Sequence, residues 1–236
     1  MSRRHVTARR VNSDDGLTVI ELLVAMLVLS IFSALVLNLY VSTTKSVAMS
    51  SSMNLNTRVA ANTMNELTRV IRASGNNSLG GALLESAVQV ATREKLTVYS
   101  TVDASIPDLR PSKVEFAINP STRQLVERRW LAKNGVNELW DFSGTLPLVS
   151  TRILPGTYLT PPTSGTDYFF TYLAADRVTE LKTNVATTAG LSEADRLKVA
   201  YIKVTIVVRN SDNARSAPVT ISNIVALPNL PKVKVP

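Results

Sequence analysis

Near its amino terminus the chain has a long apolar stretch, which directly follows the carboxylate of Glu21. From Leu22 to Leu37 only Ser30 and Ser33 interrupt the apolar run, and no charged residue occurs between Leu22 and Thr44. An α-helix rises about 1.5 Å per residue, so about 20 residues cross the ~30 Å hydrocarbon core of a bilayer. The stretch is therefore long enough to span a membrane as a helix.

The same helix is predicted to continue beyond the apolar stretch. No glycine or proline occurs between Leu17 and Ser74, so the sequence favours one helix of roughly sixty residues. In its second half, apolar residues recur at spacings of three and four: Ala60, Met64, Leu67 and Ile71. Such a stripe predicts that one face packs on a soluble domain, although an amphipathic helix in any globular domain shows the same stripe.

Beyond residue 74 the pattern becomes that of a β-rich domain. Gly75–Ser78 and Gly80–Gly81 supply turn residues that end the helix. Val178, Leu181 and Val185 are spaced for one further short helix between residues 174 and 189. The predicted strands are Lys95–Val102, Lys113–Ile118, Gln124–Leu131, Asp167–Leu173, Lys198–Arg209 and Pro218–Leu227. The strand Lys198–Arg209 has the pattern of a half-buried strand, broken only by Val207, because Ile202, Val204, Ile206 and Val208 alternate with Tyr201, Lys203, Thr205 and Arg209.

One carboxylate, Glu21, lies at the start of the apolar helix, five residues after Gly16. An ionised carboxylate within a bilayer costs at least ~2.5 kcal/mol, so it requires a positive partner. The segment Gly16-Leu17-Thr18-Val19-Ile20-Glu21-Leu22-Leu23 resembles the prepilin cleavage and methylation motif of type IV pilins and type II secretion pseudopilins. The alternative is that Glu21 is a carboxylate at the headgroup boundary of an ordinary signal anchor.

The resemblance implies a processing reaction and a role in assembly. A prepilin peptidase would cut between Gly16 and Leu17 and methylate the new amino terminus of Leu17. A free α-amine has a pKa of roughly 8 and is largely protonated near neutral pH. Glu21 would then pair with the amine of an incoming subunit, which lowers the cost of moving charge from lipid into a filament.

The segment before the cleavage site predicts the orientation in the membrane. Residues 1–16 hold four arginines and two aspartates, and a basic flank keeps its side of a span in the cytoplasm. The chain is then a single-pass protein of the inner (cytoplasmic) membrane with its head outside the cytoplasm. Loss of this leader changes the net charge from +8 to +6. We interpret this mild positive excess as that of a mixed, solvated surface.

Together these features predict an α+β, pilin-like fold, in which a long N-terminal helix packs on a small antiparallel β-rich head. The predicted divisions are a leader at 1–16, the apolar transmembrane and assembly half of the helix at 17–44, its amphipathic half at 45–74, a head at 75–227 and a C-terminal tail at 228–236. The order of predicted strands in the head resembles PilW-type minor pilins and J-type type II secretion pseudopilins.

The resemblance implies a structural protein and not an enzyme. It would be a minor pilin or pseudopilin that co-assembles into, or initiates, a type IV pilus or a protein-secretion pseudopilus, at the cell surface or in the periplasm. The expected partners are the prepilin peptidase, other pilin or pseudopilin subunits and the membrane. Asn38 stands where many major pilins carry proline, which favours a minor subunit.

The sequence offers few residues for catalysis or metal binding. The chain has no cysteine, and its one histidine, His5, lies in the expected leader. A Ser-His-Asp triad and a His-ligated metal site are therefore excluded for the processed chain, and we predict no catalytic residue, no metal and no cofactor.

The alternative function is a membrane-anchored head that binds a ligand such as DNA, a carbohydrate or a secreted protein. Its candidate patch combines Arg128 and Arg129 with Trp130 and Trp140, since aromatic rings stack on bases and arginines bind phosphates. Core packing is the favoured interpretation of both tryptophans, because large aromatic side chains usually serve the core.

Overall fold

The long helix predicted from the sequence is present. In the computed structural model, which describes residues 18–80, 83–102, 110–134, 139–158, 168–181, 190–209 and 217–228, helix α1 runs over the 54 residues Val19–Arg72. Contacts divide the chain into two units, residues 1–48 and residues 49–236. The apolar half of α1 therefore belongs to the first unit, and the rest of α1 belongs with the head.

The remaining elements are short and mostly extended. One further helix in the described residues, α2, spans Glu193–Arg196. The strands, in chain order, are β1 (Asn77–Gly80), β2 (Leu83–Glu85), β3 (Val88–Ala91), β4 (Lys95–Ser100), β5 (Ser112–Ile118), β6 (Leu125–Leu131), β7 (Lys133–Asn134), β8 (Trp140–Asp141), β9 (Leu148–Leu154), β10 (Thr157–Tyr158), β11 (Phe170–Leu173), β12 (Tyr201–Arg209) and β13 (Val219–Ala226).

Two antiparallel sheets make up most of the head. The larger has the order β3-β4-β5-β6-β9, so β9 lies at its edge beside β6. In the smaller sheet β13 pairs along one side of β12, while β10 and β11 pair with opposite ends of the other side. Two further strand pairs, β1 with β2 and β7 with β8, complete the described strands.

The core lies between the amphipathic half of α1 and the two sheets. The predicted stripe of Ala60, Met64, Leu67 and Ile71 is buried, with Leu67 and Ile71 fully inaccessible to solvent. These residues form one apolar cluster with residues of both sheets, such as Phe116 of β5 and Ile202 of β12. Burying a side chain of this size stabilises a fold by about 1.5–3 kcal/mol, so this stripe attaches the helix to the head.

A close backbone approach and a helix stop complete the packing of α1. Gly156 has φ +107°, and a Cβ added there would lie 2.7 Å from Cγ1 of Val59, so this turn between β9 and β10 requires glycine. At the end of α1, the hydroxyl of Ser74 donates to the carbonyl of Val70 at 2.9 Å. Ser74 also bridges to Ser100, which joins the end of the helix to β4.

The α+β layout predicted from the sequence is therefore confirmed, and all six predicted strands are present. Five of them are shorter than predicted, and β5 begins one residue earlier, at Ser112. The apolar face predicted for β12 is confirmed, because Ile202, Val204, Ile206 and Val208 are all buried, although the strand starts at Tyr201 and Thr205 is buried as well. Successive side chains of a strand point to opposite faces of the sheet, so these four side chains share the face that packs on the core.

The short helix predicted between residues 174 and 189 is wrong over residues 174–181, and residues 182–189 lie outside the described part of the chain. The carboxylate of Asp176 accepts hydrogen bonds from the amides of Val178 and Thr179, at 3.0 and 2.8 Å. Arg177 adopts φ +64°. A local aspartate turn therefore takes the backbone donors that a helix would use.

Several strands were not predicted. Residues 77–80 form β1, although the sequence predicts only turns there, and β9 was missed entirely. Every residue of β9 except Leu154 is exposed. An edge strand with two exposed faces shows no strict alternation of apolar and polar residues, so its pattern gives little signal.

Candidate processing and assembly site

The predicted processing residues Gly16 and Leu17, and His5 in the leader, lie outside the described residues. The structure begins to describe this site at Thr18, one residue before α1. The observable part of the site is therefore the first turn of the helix, which contains Glu21.

Glu21 closes a hydrogen-bonded ring at the start of α1. Its Oε2 accepts from the backbone amide of Thr18 and from the Thr18 hydroxyl, each at 3.0 Å. In return the amide of Glu21 donates to the Thr18 hydroxyl oxygen at 3.3 Å. This reciprocal arrangement is a capping box, which satisfies backbone donors that have no partner inside the helix. The Thr-x-x-Glu spacing of Thr18 and Glu21 is typical of such a box, and it is the sequence signal for this role of Glu21.

With the capping box formed, Glu21 can still pair with a cation. Both described hydrogen bonds use Oε2, and no donor within the described residues is bonded to Oε1. A positive amine at the amino end of a helix is disfavoured by the helix dipole, whereas a carboxylate in the first turn is favoured there. Glu21 therefore offers both a compensating charge and an unused oxygen at this helix end.

The surroundings of Glu21 are apolar and exposed. A groove along the helix surface beside Glu21 is lined by Ile20, Val24, Ala25 and Val28 among others. Every residue from Thr18 to Ser51 is exposed, and α1 is long and apolar enough to cross a membrane. An apolar surface of this size is stable only when lipid or other protein chains cover it.

In the second unit, an ion cluster fixes α1 to the larger sheet. Oε1 of Glu66 lies 2.8 Å from Nη2 of Arg69, 2.8 Å from Nη2 of Arg129 on β6 and 2.9 Å from Nη2 of Arg152 on β9. Arg129 and Arg152 also contact Glu127, which is 1% exposed. Two carboxylates and three guanidinium groups thus share one site, in which Glu66, Glu127 and Arg129 are largely buried. Arg69 and Arg152 are about half exposed at its edge.

The charges in this cluster decide the ionisation of Glu66. Burial raises the pKa of Glu66, but the hydrogen bond and charge of Arg69, with the charges of Arg152 and Arg129, outweigh it and lower the pKa below its usual value. Glu66 is therefore ionised at neutral pH and acts as the fixed anion of the cluster.

A second polar contact lies between α1 and the turn before β10. The hydroxyl of Tyr158 donates to the carbonyl of Pro155 at 2.8 Å and lies 2.7 Å from the hydroxyl of Thr63. Since the tyrosine proton is used on Pro155, Thr63 donates to Tyr158. Burial raises the pKa of Tyr158 to about 12, although the hydrogen bond from Thr63 opposes the shift.

The structure does not form the basic and aromatic patch predicted for ligand binding. Arg128 points to the outer face of the sheet, where it bonds Glu115 at 2.8 Å, whereas Arg129 points to the inner face and joins the ion cluster. Adjacent residues of a strand face opposite sides, so the pair cannot form one surface.

The favoured core packing of the tryptophans holds only in part, because Trp130 and Trp140 are both partly buried. Trp140 packs against the small cluster of Tyr99, Ala132 and Phe142, away from the main core. Among the residues that the structure describes, no group of three His, Cys, Asp or Glu side chains is placed to hold a metal ion.

Comparison with known families bears on the N-terminal site. Residues 12–37 match the model of the prokaryotic N-terminal methylation motif. No curated protein matches the chain. The matched residues include Gly16, Leu17 and Glu21 and the apolar run from Leu22 to Leu37. This motif supports a place for the chain in the type IV pilin-like family, and it indicates a prepilin peptidase substrate that is anchored in the membrane and assembles with other pilin subunits.

Proposed function

We propose that this chain is a minor pilin or pseudopilin, a structural and non-enzymatic subunit. In this proposal the prepilin peptidase removes residues 1–16, and the amino group of Leu17 is methylated. The subunit then co-assembles into, or initiates, a type IV pilus or a type II secretion pseudopilus. The motif at residues 12–37 supports the processing step.

The observation that carries the proposal is the exposure of the apolar half of α1. Large apolar side chains along this half, such as Leu23, Leu27 and Phe32, are each more than half exposed. A bilayer covers such a surface before assembly, and the helices of neighbouring subunits cover it in a filament. Glu21 is the one charged group from Val19 to Thr44. Its pairing with an amine therefore removes the main free-energy cost of moving this helix from the bilayer into the filament.

The subtype and the divisions of the chain follow from the same proposal. We assign residues 17–44 to the membrane and filament core and residues 45–74 to the contact with the head. The succession of β5, β6, β12 and β13 supports a PilW-type or J-type subunit. The head then lies outside the cytoplasm, in the periplasm or at the cell surface.

Mass spectrometry of the native amino terminus tests the processing step. We expect a chain that starts at N-methylated Leu17 in cells with the prepilin peptidase, and an uncleaved chain in cells without it. An uncleaved chain in both strains would refute the proposal, because Glu21 would have no amine partner.

Variants of Glu21 separate its capping role from its charge. Glu21→Gln keeps an acceptor for the Thr18 amide, since glutamine also serves in capping boxes, but removes the charge. We expect Glu21→Ala and Glu21→Gln chains to be cleaved normally and to be lost from sheared filaments. Ser30→Ala is the control, because among the described residues the Ser30 hydroxyl bonds only the carbonyl of Leu27, in its own helix, at 2.7 Å. Normal assembly of Glu21→Gln would show that the charge is not used.

A further inference from the structure

One exposed face of α1 carries arginine and asparagine in regular order. At about 100° per residue, every member of this face lies within about 40° of Arg58 around the helix axis. All are exposed in the second unit. The asparagine–arginine stripe consists of Asn54, Arg58, Asn62, Asn65, Arg69 and Arg72.

The stripe is cationic and faces away from the core. The buried side of the helix holds Leu67 and Ile71, so the stripe occupies the opposite surface. Of its arginines, Arg69 pairs with Glu66 at 2.8 Å. Within the described residues no carboxylate forms an ion pair with Arg58 or Arg72. Two guanidinium groups therefore present unused donors to whatever lies against this face.

The surface beside the stripe is recessed at its carboxyl end. A groove there is lined by Asn65, Thr68, Arg69, Arg72, Ala73 and Val102. Three of these residues belong to the stripe. The groove gives a neighbouring segment a place to seat side chains between the helix and the chain that follows β4.

The stripe has the chemistry of a protein interface that binds carboxylates. Guanidinium forks bind carboxylates with two parallel hydrogen bonds, which lysine cannot do. Arginine is enriched at protein interfaces and lysine is depleted there. The stripe holds three arginines and no lysine, and its asparagine amides supply further donors and acceptors. A solvated face would gain nothing from this choice of cation.

We propose that the asparagine–arginine stripe docks against a carboxylate-bearing face of a different subunit in the same filament. The inference rests on the proposed function, because α1 is the element that brings subunits together. A second copy of this chain would present its own cationic stripe, and like charges placed face to face disfavour that pairing. The stripe therefore selects an acidic neighbour and disfavours self-association along this face.

Charge reversal in the full-length chain, expressed in cells with its filament system, tests the inference. We expect Arg58→Glu/Arg72→Glu to reduce co-purification with sheared filaments about tenfold, since several attractive charge pairs become repulsive. Arg58→Lys/Arg72→Lys keeps the charge and should lose about two- to threefold, because the bidentate geometry is lost. Thr57→Glu is the matched control, as Thr57 is exposed on the same helix about 100° from Arg58.

The outcomes separate this inference from the proposed function. Normal processing at Leu17 with loss of the Arg58→Glu/Arg72→Glu chain from filaments, while the Thr57→Glu chain remains, supports the acidic neighbour. Retention of the reversed chain, while Glu21→Gln is lost, overturns the stripe and leaves filament assembly standing. Retention of both variants overturns the two together. If the reversed chain assembles normally but no longer retains plasmid DNA, the stripe binds nucleic acid and the inference is wrong.

Discussion

Glu66 provides a direct test of how the amphipathic half of α1 is held on the larger sheet. Glu66→Gln preserves the shape of the side chain and removes its charge. Three guanidinium groups contact the same oxygen of Glu66, and the side chain of Arg129 is only 10% exposed. In the variant, Arg129 therefore keeps Glu127 as an anionic partner but loses the charge of Glu66.

The expected loss follows from the exposure of each pair. A pair with one exposed partner, such as Arg69 with Glu66, contributes about 0.2–1 kcal/mol, because water screens its charge. A hydrogen bond to a buried charged group contributes about 1.5–3 kcal/mol. Because Arg129 keeps Glu127, the loss stays below the full ~3–5 kcal/mol of a broken buried pair. We expect Glu66→Gln to lower the free energy of unfolding by about 2–3 kcal/mol, and Tm by about 4–12 °C for a domain of this size.

Fluorescence of the two tryptophans, both in the head, reports this unfolding for the full chain in detergent. Glu193→Gln is the control, since Glu193 is exposed on α2 and its change should stay within ~0.5 kcal/mol. If the free energy of unfolding of Glu66→Gln also lies within ~0.5 kcal/mol of that of the parent chain at pH 7, the ion cluster does not hold the helix on the sheet.

The lowered pKa of Glu66 adds a pH dependence to this test. A carboxyl whose folded pKa lies below its unfolded value of about 4.3 stabilises the fold fully above that pH. The contribution is lost as the pH falls through the folded pKa. The difference between the parent chain and Glu66→Gln should therefore be largest at neutral pH and shrink below about pH 4.3. A constant difference down to pH 2 would contradict this account.

Two further substitutions test the core and the polar contact of α1. Leu67→Ala removes a fully buried side chain and should lower the free energy of unfolding by about 2–5 kcal/mol, measured by urea titration; a loss under ~1 kcal/mol would mean that Leu67 does not lie in a packed core. Tyr158→Phe removes the hydroxyl between Thr63 and Pro155 and should cost about 1–3 kcal/mol in the same titration, because buried polar groups lose their partner; an unchanged midpoint would show that water replaces the hydroxyl.

Which parts of the fold were predictable depends on the range of the interactions that form them. The buried stripe from Ala60 to Ile71 and the alternation of β12 are local periodic patterns, and both predictions are confirmed. The exposed edge strand β9 and the aspartate turn at Asp176 were missed. In one case solvent faces both sides of the strand, and in the other a side chain competes with the helix for backbone donors.

At the N-terminal site, too, the features that depend on nearby residues could be predicted from the sequence. The position of Glu21 in an uncharged stretch is visible in the sequence, and so is the resemblance to the methylation motif, which the family comparison supports over residues 12–37. The capping box of Thr18 and Glu21 was also readable from a spacing of three residues. The roles of Gly16 and Leu17 stay predictions.

By itself the sequence determined that the chain contains a membrane-length helix followed by an antiparallel head, because hydrophobic period and turn chemistry act over a few residues. Only the tertiary structure decided that Arg128 and Arg129 serve different faces of one sheet. It also paired Glu66 with Arg129, a residue 63 positions away. Such pairings depend on where the packed helix meets the sheet, and no local pattern records that position.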